Sequence, residues 1–136
     1  MAGSAREDSA SYYTPEVLTK CLVREALDVL AKQQLDPLAT DKEKAERILA
    51  WRVCEPAMGS AAFLNEAVNQ ISELYMRHAM RVPGARTLTQ AEYRKELQRV
   101  RMFIADRNRS AALRLRQGAE AAARADVHRG PQPLRR

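Results

Sequence analysis

Long apolar runs are missing from this chain. No stretch approaches the roughly 18 consecutive apolar residues that a membrane span requires, so no membrane association is expected. The opening MAGSAREDSA has no apolar core that could act as a secretory signal. Cysteine is scarce. Cys21 and Cys54 lie far apart without Cys-x-x-Cys spacing, which argues against a disulfide or a metal site and suits buried thiols in a reducing cytoplasm. His78 and His128 lack partners at ligand spacing, so no metal is assigned. No Pro-Pro pair occurs anywhere.

What is present suits one soluble domain. The chain has 136 residues, 46% of them hydrophobic and 29% charged. A domain of that size buries roughly two-thirds of its extended-chain surface. The net charge of +6 is unevenly placed. Residues 1–108 hold 16 Lys/Arg against 15 Asp/Glu, a net of +1; residues 109–136 hold 7 Arg against 2 acids, a net of +5.

Residues 1–11 are small and polar and are expected to be disordered. Thr14-Pro15 predicts a helix start, with Thr14 as the cap and Pro15 at the first helical position, where its missing N–H costs nothing. Leu18, Cys21, Leu22, Ala26, Val29 and Leu30 then predict an apolar helix face reaching about Lys32. A connector containing Pro37 follows, and Asp41 is expected to cap a short charged helix running to about Leu49. Ala50-Trp51-Arg52-Val53-Cys54 reads as a strand, the one convincing strand in the chain. After a loop, Leu64, Ala67, Val68, Ile71 and Tyr75 predict a second amphipathic helix, broken at Pro83-Gly84. A third, from about Thr89, aligns Tyr93, Leu97, Val100 and Ile104.

The segment Glu55-Pro56-Ala57-Met58-Gly59-Ser60-Ala61-Ala62-Phe63 ends that strand and opens the second helix. An α/β fold binds nucleotide-like ligands at such a place. A glycine lets the backbone approach a ligand closely. The free N–H groups at the helix start favour an anionic group such as a carboxylate. No Gly-Lys-Ser/Thr follows, so this is not a phosphate-binding P-loop, and the three-glycine dinucleotide fingerprint is lacking.

These residues resemble the cofactor motif of S-adenosylmethionine-dependent, adenine-specific DNA methyltransferases, Asp/Glu-Pro-Ala-x-Gly-Ser-Gly-x-Phe. Upstream, Tyr12-Tyr13-Thr14-Pro15 resembles the Tyr-Thr-Pro motif that opens the same domain. The two motifs in this order are more specific than either alone. The likeness is to the large type IIG restriction-modification and phage-defence enzymes, and it covers roughly residues 11–108. It implies an α/β fold: the N-terminal part of a Rossmann-like methyltransferase, mostly helical with one strand. It also implies S-adenosyl-L-methionine as cofactor, DNA as the partner of the complete parent, and methyl transfer to adenine N6.

By that resemblance the cofactor-binding residues are Tyr13, Thr14, Pro15, Glu55, Pro56, Ala57, Gly59, Ser60 and Phe63. Thr14 and Pro15 would meet the methionine end. Glu55, Ala57 and Gly59 would line the methionine and sulfonium side, with Glu55 near the amino group, and Phe63 would pack beneath the loop. Ala61 stands where the family has Gly. If the position takes positive φ, Ala costs on the order of 1–2 kcal/mol, or about tenfold in affinity if that strain is set against binding. If φ is negative, Ala61 is harmless.

The family's Asn/Asp-Pro-Pro-Tyr/Phe motif, which holds a flipped-out adenine, is absent. No catalytic residue is therefore assigned, and the chain is expected to be inactive alone. The resemblance stops where Asn108 gives way to Arg109-Ser110-Ala111-Ala112. Of the last 28 residues, 18 are Ala, Arg, Gly or Pro, a composition that GC-rich DNA yields when read out of frame. The tail 109–136 fits three readings: phosphate contacts with DNA, a solvated and disordered appendage, or out-of-frame translation, which the coincidence at Asn108 favours. Two further function classes remain beside the methyltransferase piece. One is a non-enzymatic cofactor-binding or regulatory module; the other is a small basic DNA-binding module using the Arg-rich tail. Related families acting on protein glutamine or RNA share similar cofactor loops.

Overall fold

Two Thr-x-x-Glu sequences open helices in the same way. Glu43 N donates to Thr40 Oγ1 (3.2 Å) while Glu43 Oε2 accepts from Thr40 N (3.0 Å). Glu92 N likewise donates to Thr89 Oγ1 (3.3 Å), with Thr89 N returning to Glu92 Oε2 (2.9 Å). Each box satisfies backbone groups that a helix start leaves orphaned. The computed structural model describes residues 15–55 and 61–127, with side chains as far as residue 109. Its helices are α1 (Glu16–Gln34), α2 (Asp41–Ala50), α3 (Ala62–Ala79) and α4 (Gln90–Val127).

Helix α3 is the hub, packing against α1, α2 and α4. Its inward stripe of Ala67, Val68, Ile71, Ser72 and Met76 is buried, with Leu64 and Tyr75 half-buried at its edges. Ile48 of α2 and Val100 and Ile104 of α4 close on it. Ser72 is fully enclosed and loses no hydrogen bond, because its Oγ donates to Val68 O (2.6 Å). Between α3 and α4 the chain turns at Gly84, whose φ of +80° a side-chain-bearing residue adopts only under strain. Helix α1 runs beside α3 in the same direction. Gln70 Nε2, midway along α3, reaches Lys20 O (3.0 Å) near the start of α1, and Asp28 and Arg77 face one groove further along both helices.

The expected strand is not formed, and with it the α/β reading falls: the described residues are all-helical, with no β-strand. Ala50 is the last residue of α2, and Trp51 leaves it extended, at φ −60° and ψ 147°. The β-prone composition of residues 50–54 is real, but a strand exists only by pairing, and no neighbouring strand is supplied. Trp51 instead turns into the helical core, 7% exposed, and its Nε1 donates to Gln34 Oε1 at 3.0 Å. Val53 N is satisfied by a side chain, Asn108 Oδ1, at 3.0 Å.

Smaller expectations also shift. Pro15 is the residue before α1 rather than its first helical position, and Thr14 lies outside the described residues. Thr40, not Asp41, caps α2; Asp41 sits in the first turn. Helix α1 buries Thr19 and Val23 and leans Leu27, Leu30 and Ala31 on the core, so Leu18, Leu22 and Val29 of the expected face remain exposed. Cys21 is half-buried and Cys54 exposed, and both are free thiols rather than core residues. Helix α4 crosses residues 108–109 without a break and ends at Val127; residues 1–14 and 128–136 lie outside the described part. Among the described residues no helix is long and apolar enough to cross a membrane, and no group of His, Cys, Asp and Glu could hold a metal.

Candidate functional site

The motif residues flank the start of α3. Its N-cap is Ala61, whose methyl side chain cannot accept a hydrogen bond. Glu55, arriving from the extended segment 51–55, supplies the missing acceptor: Leu64 N donates to its Oε2 at 3.1 Å. A carboxylate there also opposes the positive end of the helix dipole. Glu55 is thereby held against the first turn of the helix.

Ala61 itself sits at φ +60° and ψ 23°, in the left-handed region, and is the non-glycine residue with positive φ among the described residues. The open question at this position is thereby answered: the conformation is the one for which the family's Gly is suited, and Ala holds it at a cost on the order of 1–2 kcal/mol. The strained residue keeps its backbone employed, since its carbonyl accepts from Asn65 N at 2.9 Å.

Of the expected cofactor-binding residues, the structure brings Glu55 and Phe63 to one end of α3. Phe63 is half-buried and packs on the core cluster. Pro15 caps α1, its carbonyl accepting from Thr19 N (3.0 Å) and Thr19 Oγ1 (3.3 Å). Because α1 and α3 run in the same direction, Pro15 and Glu55 belong to the same end of the helix pair. Tyr13, Thr14, Pro56, Ala57, Gly59 and Ser60 lie outside the described residues.

A residue missed by sequence reasoning completes the support. Asn108 is 5% exposed; its Oδ1 accepts from Val53 N, and its Nδ2 donates to Ile104 O (3.0 Å). It pins the segment leading to Glu55 onto α4. Its position one turn after Ile104, on the same stripe as Val100, was the available signal that it faces inward.

The chain matches no family model, no curated protein and no solved structure. The likeness to adenine methyltransferases accordingly rests on the two motifs alone.

Proposed function

We propose that the chain carries the S-adenosylmethionine-holding part of a DNA adenine N6-methyltransferase and that it transfers no methyl group by itself. The observation supporting this reading most is the left-handed backbone at Ala61, directly before α3 and directly after the Glu-Pro-Ala-x-Gly-Ser sequence of residues 55–60. The start of α1, next to Tyr13-Thr14-Pro15, lies at the same end of the helix pair. Glu55 spends Oε2 on Leu64 N, while Oε1 has no protein partner among the described residues. That oxygen would accept from the cofactor's amino group. The helical architecture is unlike the family's sheet, so the proposal concerns the loop and its ligand rather than the fold.

Calorimetric titration of the chain with S-adenosylmethionine tests this. Saturable binding that Glu55→Gln weakens, without N6-methyladenine appearing in an adenine-containing duplex, is the expected result. No binding by a folded chain would discard the cofactor reading, and robust methylation would discard the claim of inactivity. The missing base-holding motif is the warrant for inactivity, because an unpositioned adenine forgoes much of the rate enhancement that positioning supplies.

The continuation of α4 through Val127 favours one second reading. A helical rather than irregular segment carrying Arg109, Arg114, Arg116 and Arg124 would suit DNA phosphates. Salt-sensitive duplex binding that disappears on ending the chain at Asn108 would support it.

A further inference from the structure

Charge is close to balanced on α1, α2 and α3 and unbalanced on α4. Helices α1 and α2 each carry three acids and three Lys or Arg, and α3 carries Glu66 and Glu73 against Arg77. Between Gln90 and Arg109, α4 carries six Lys or Arg against three acids. The small net charge of residues 1–108 therefore conceals one basic helix.

The excess lies on one face. Tyr93, Leu97, Val100, Ile104 and Asn108 turn inward, while Arg94, Lys95, Arg99 and Arg109 are all exposed. Lys95, Arg99, Met102, Asp106 and Arg109 follow one another at spacings of three or four, so they share one stripe with Arg94 beside it. At a rise of 1.5 Å per residue the stripe is about 21 Å long. Arg101 and Arg107 are turned aside, Arg101 toward Glu73 of α3 (3.5 Å) and Arg107 over the Phe103 ring (5.4 Å to its centre). The acids of α4 do little to cancel the stripe. Glu92 is taken up by Thr89 and Arg86, and Glu96 meets Arg99 at 3.3 Å in an exposed pair that a phosphate can displace. Asp106 is the acid on the stripe itself.

We propose that this outward face of α4 binds the phosphate backbone of a DNA duplex. Basic side chains in a row along one helix meet successive phosphates, and each contact releases a condensed counterion. Arg94, Lys95, Arg99 and Arg109 supply four such contacts, and Gln98, exposed among them, adds a neutral donor. Large apolar side chains exposed here are confined to Met102 and, at the edge, Phe103. That suits a hydrated, charged partner rather than a membrane interior or an apolar protein surface. The proposal rests neither on the cofactor reading nor on the arginines beyond residue 109.

The test is fluorescence anisotropy of a labelled duplex with the full chain at several salt concentrations. The native chain should bind with an affinity that falls steeply as salt rises. The triple variant Arg94→Gln, Lys95→Gln, Arg99→Gln should bind about tenfold or more weakly. Its slope of log affinity against log salt should flatten by about 2.7, or about 0.9 per lost contact. Asp106→Asn should strengthen binding. All these side chains are exposed, so helix content by circular dichroism should stay native. The variant Lys20→Gln, Arg24→Gln, Lys32→Gln removes the same charge from α1 and should keep the native slope. Arg114→Gln, Arg116→Gln, Arg124→Gln reports on the far part of α4 separately. A native slope in the first triple variant with a loss in this last one would overturn the proposal and leave the tail reading standing. An equal loss in the α1 variant, poly-glutamate bound as tightly as the duplex, or no duplex binding by the folded chain would also overturn it.

Discussion

Asn108 Oδ1 accepts the hydrogen bond of Val53 N at 3.0 Å, joining two residues 55 positions apart in the sequence, with the whole of α3 between them. The same side chain donates to Ile104 O, so both ends of the amide are used inside the protein. Replacing Asn108 with Ala leaves Val53 N without its acceptor in a half-buried place. A loss of about 1–3 kcal/mol in unfolding free energy is expected, read from urea denaturation. A change below about 0.5 kcal/mol, the usual range for surface sites, would show that Val53 N is satisfied by water instead.

Ala61 makes the opposite prediction, a substitution that helps. At φ +60° the Cβ is unfavourably placed, and Gly removes that cost of about 1–2 kcal/mol. Gly also gives back part of it through greater freedom in the unfolded chain, roughly 0.5–1 kcal/mol. The expected net is a small stabilisation of Ala61→Gly and a clear destabilisation of Ala61→Val, whose branched side chain tolerates the left-handed region least. Equal midpoints for all three chains would mean that residue 61 is not left-handed in solution.

These two residues also show what was readable beforehand. The helices were legible because burial repeats with helical period: Val68 and Ile71 on α3, Val100 and Ile104 on α4, each inside as expected. The strand was not, because β-prone composition reports a local preference while a strand is a relation to a partner. Trp51, the strongest β-former of that segment, found its burial in a helical core. On α1 the inward face was misjudged for a different reason. Apolar residues occur on both sides of the helix, so Leu18, Leu22 and Val29 fit the period as well as Val23, Leu27 and Ala31 do, and of the expected face Leu30 reaches the core. Before α3, a special position at residue 61 was legible through the glycine of the resembling motif, but its φ was not. Glu55 as the acceptor for Leu64 N was invisible, since nothing local links residues nine apart.

Asp41 and His78 join the start of α2 to the end of α3. With the carboxylate able only to accept, His78 Nδ1–H donates to Asp41 Oδ1 at 2.6 Å. That hydrogen bond holds the Asp41 carboxyl below its ordinary range, helped by the positive charges of Arg81 and Lys44. A depressed carboxyl pKa contributes stability that is complete above the unfolded value, about 3.9, and is lost as pH falls through the lower folded value. The stability gap between the native chain and Asp41→Asn should therefore be open near about pH 6 and close in strong acid. Urea midpoints of both chains across that range measure it. A gap that persists unchanged below the depressed value would show that the carboxyl's charge is not what His78 recognises.

The two thiols separate the helical architecture from the one the sequence suggested. Cys54 as a core strand residue would be shielded, whereas on the extended segment after α2 it is exposed and Cys21 is half-buried. A thiol-reactive chromophore added to the native chain should modify Cys54 promptly and Cys21 more slowly. Cys54→Ser should remove the fast phase and leave the slow one. The rate is read on the folded protein without denaturant, so global unfolding contributes only its small equilibrium population. If both thiols react at one slow rate that rises with urea, Cys54 is enclosed, and the unpaired extended segment is not the state in solution.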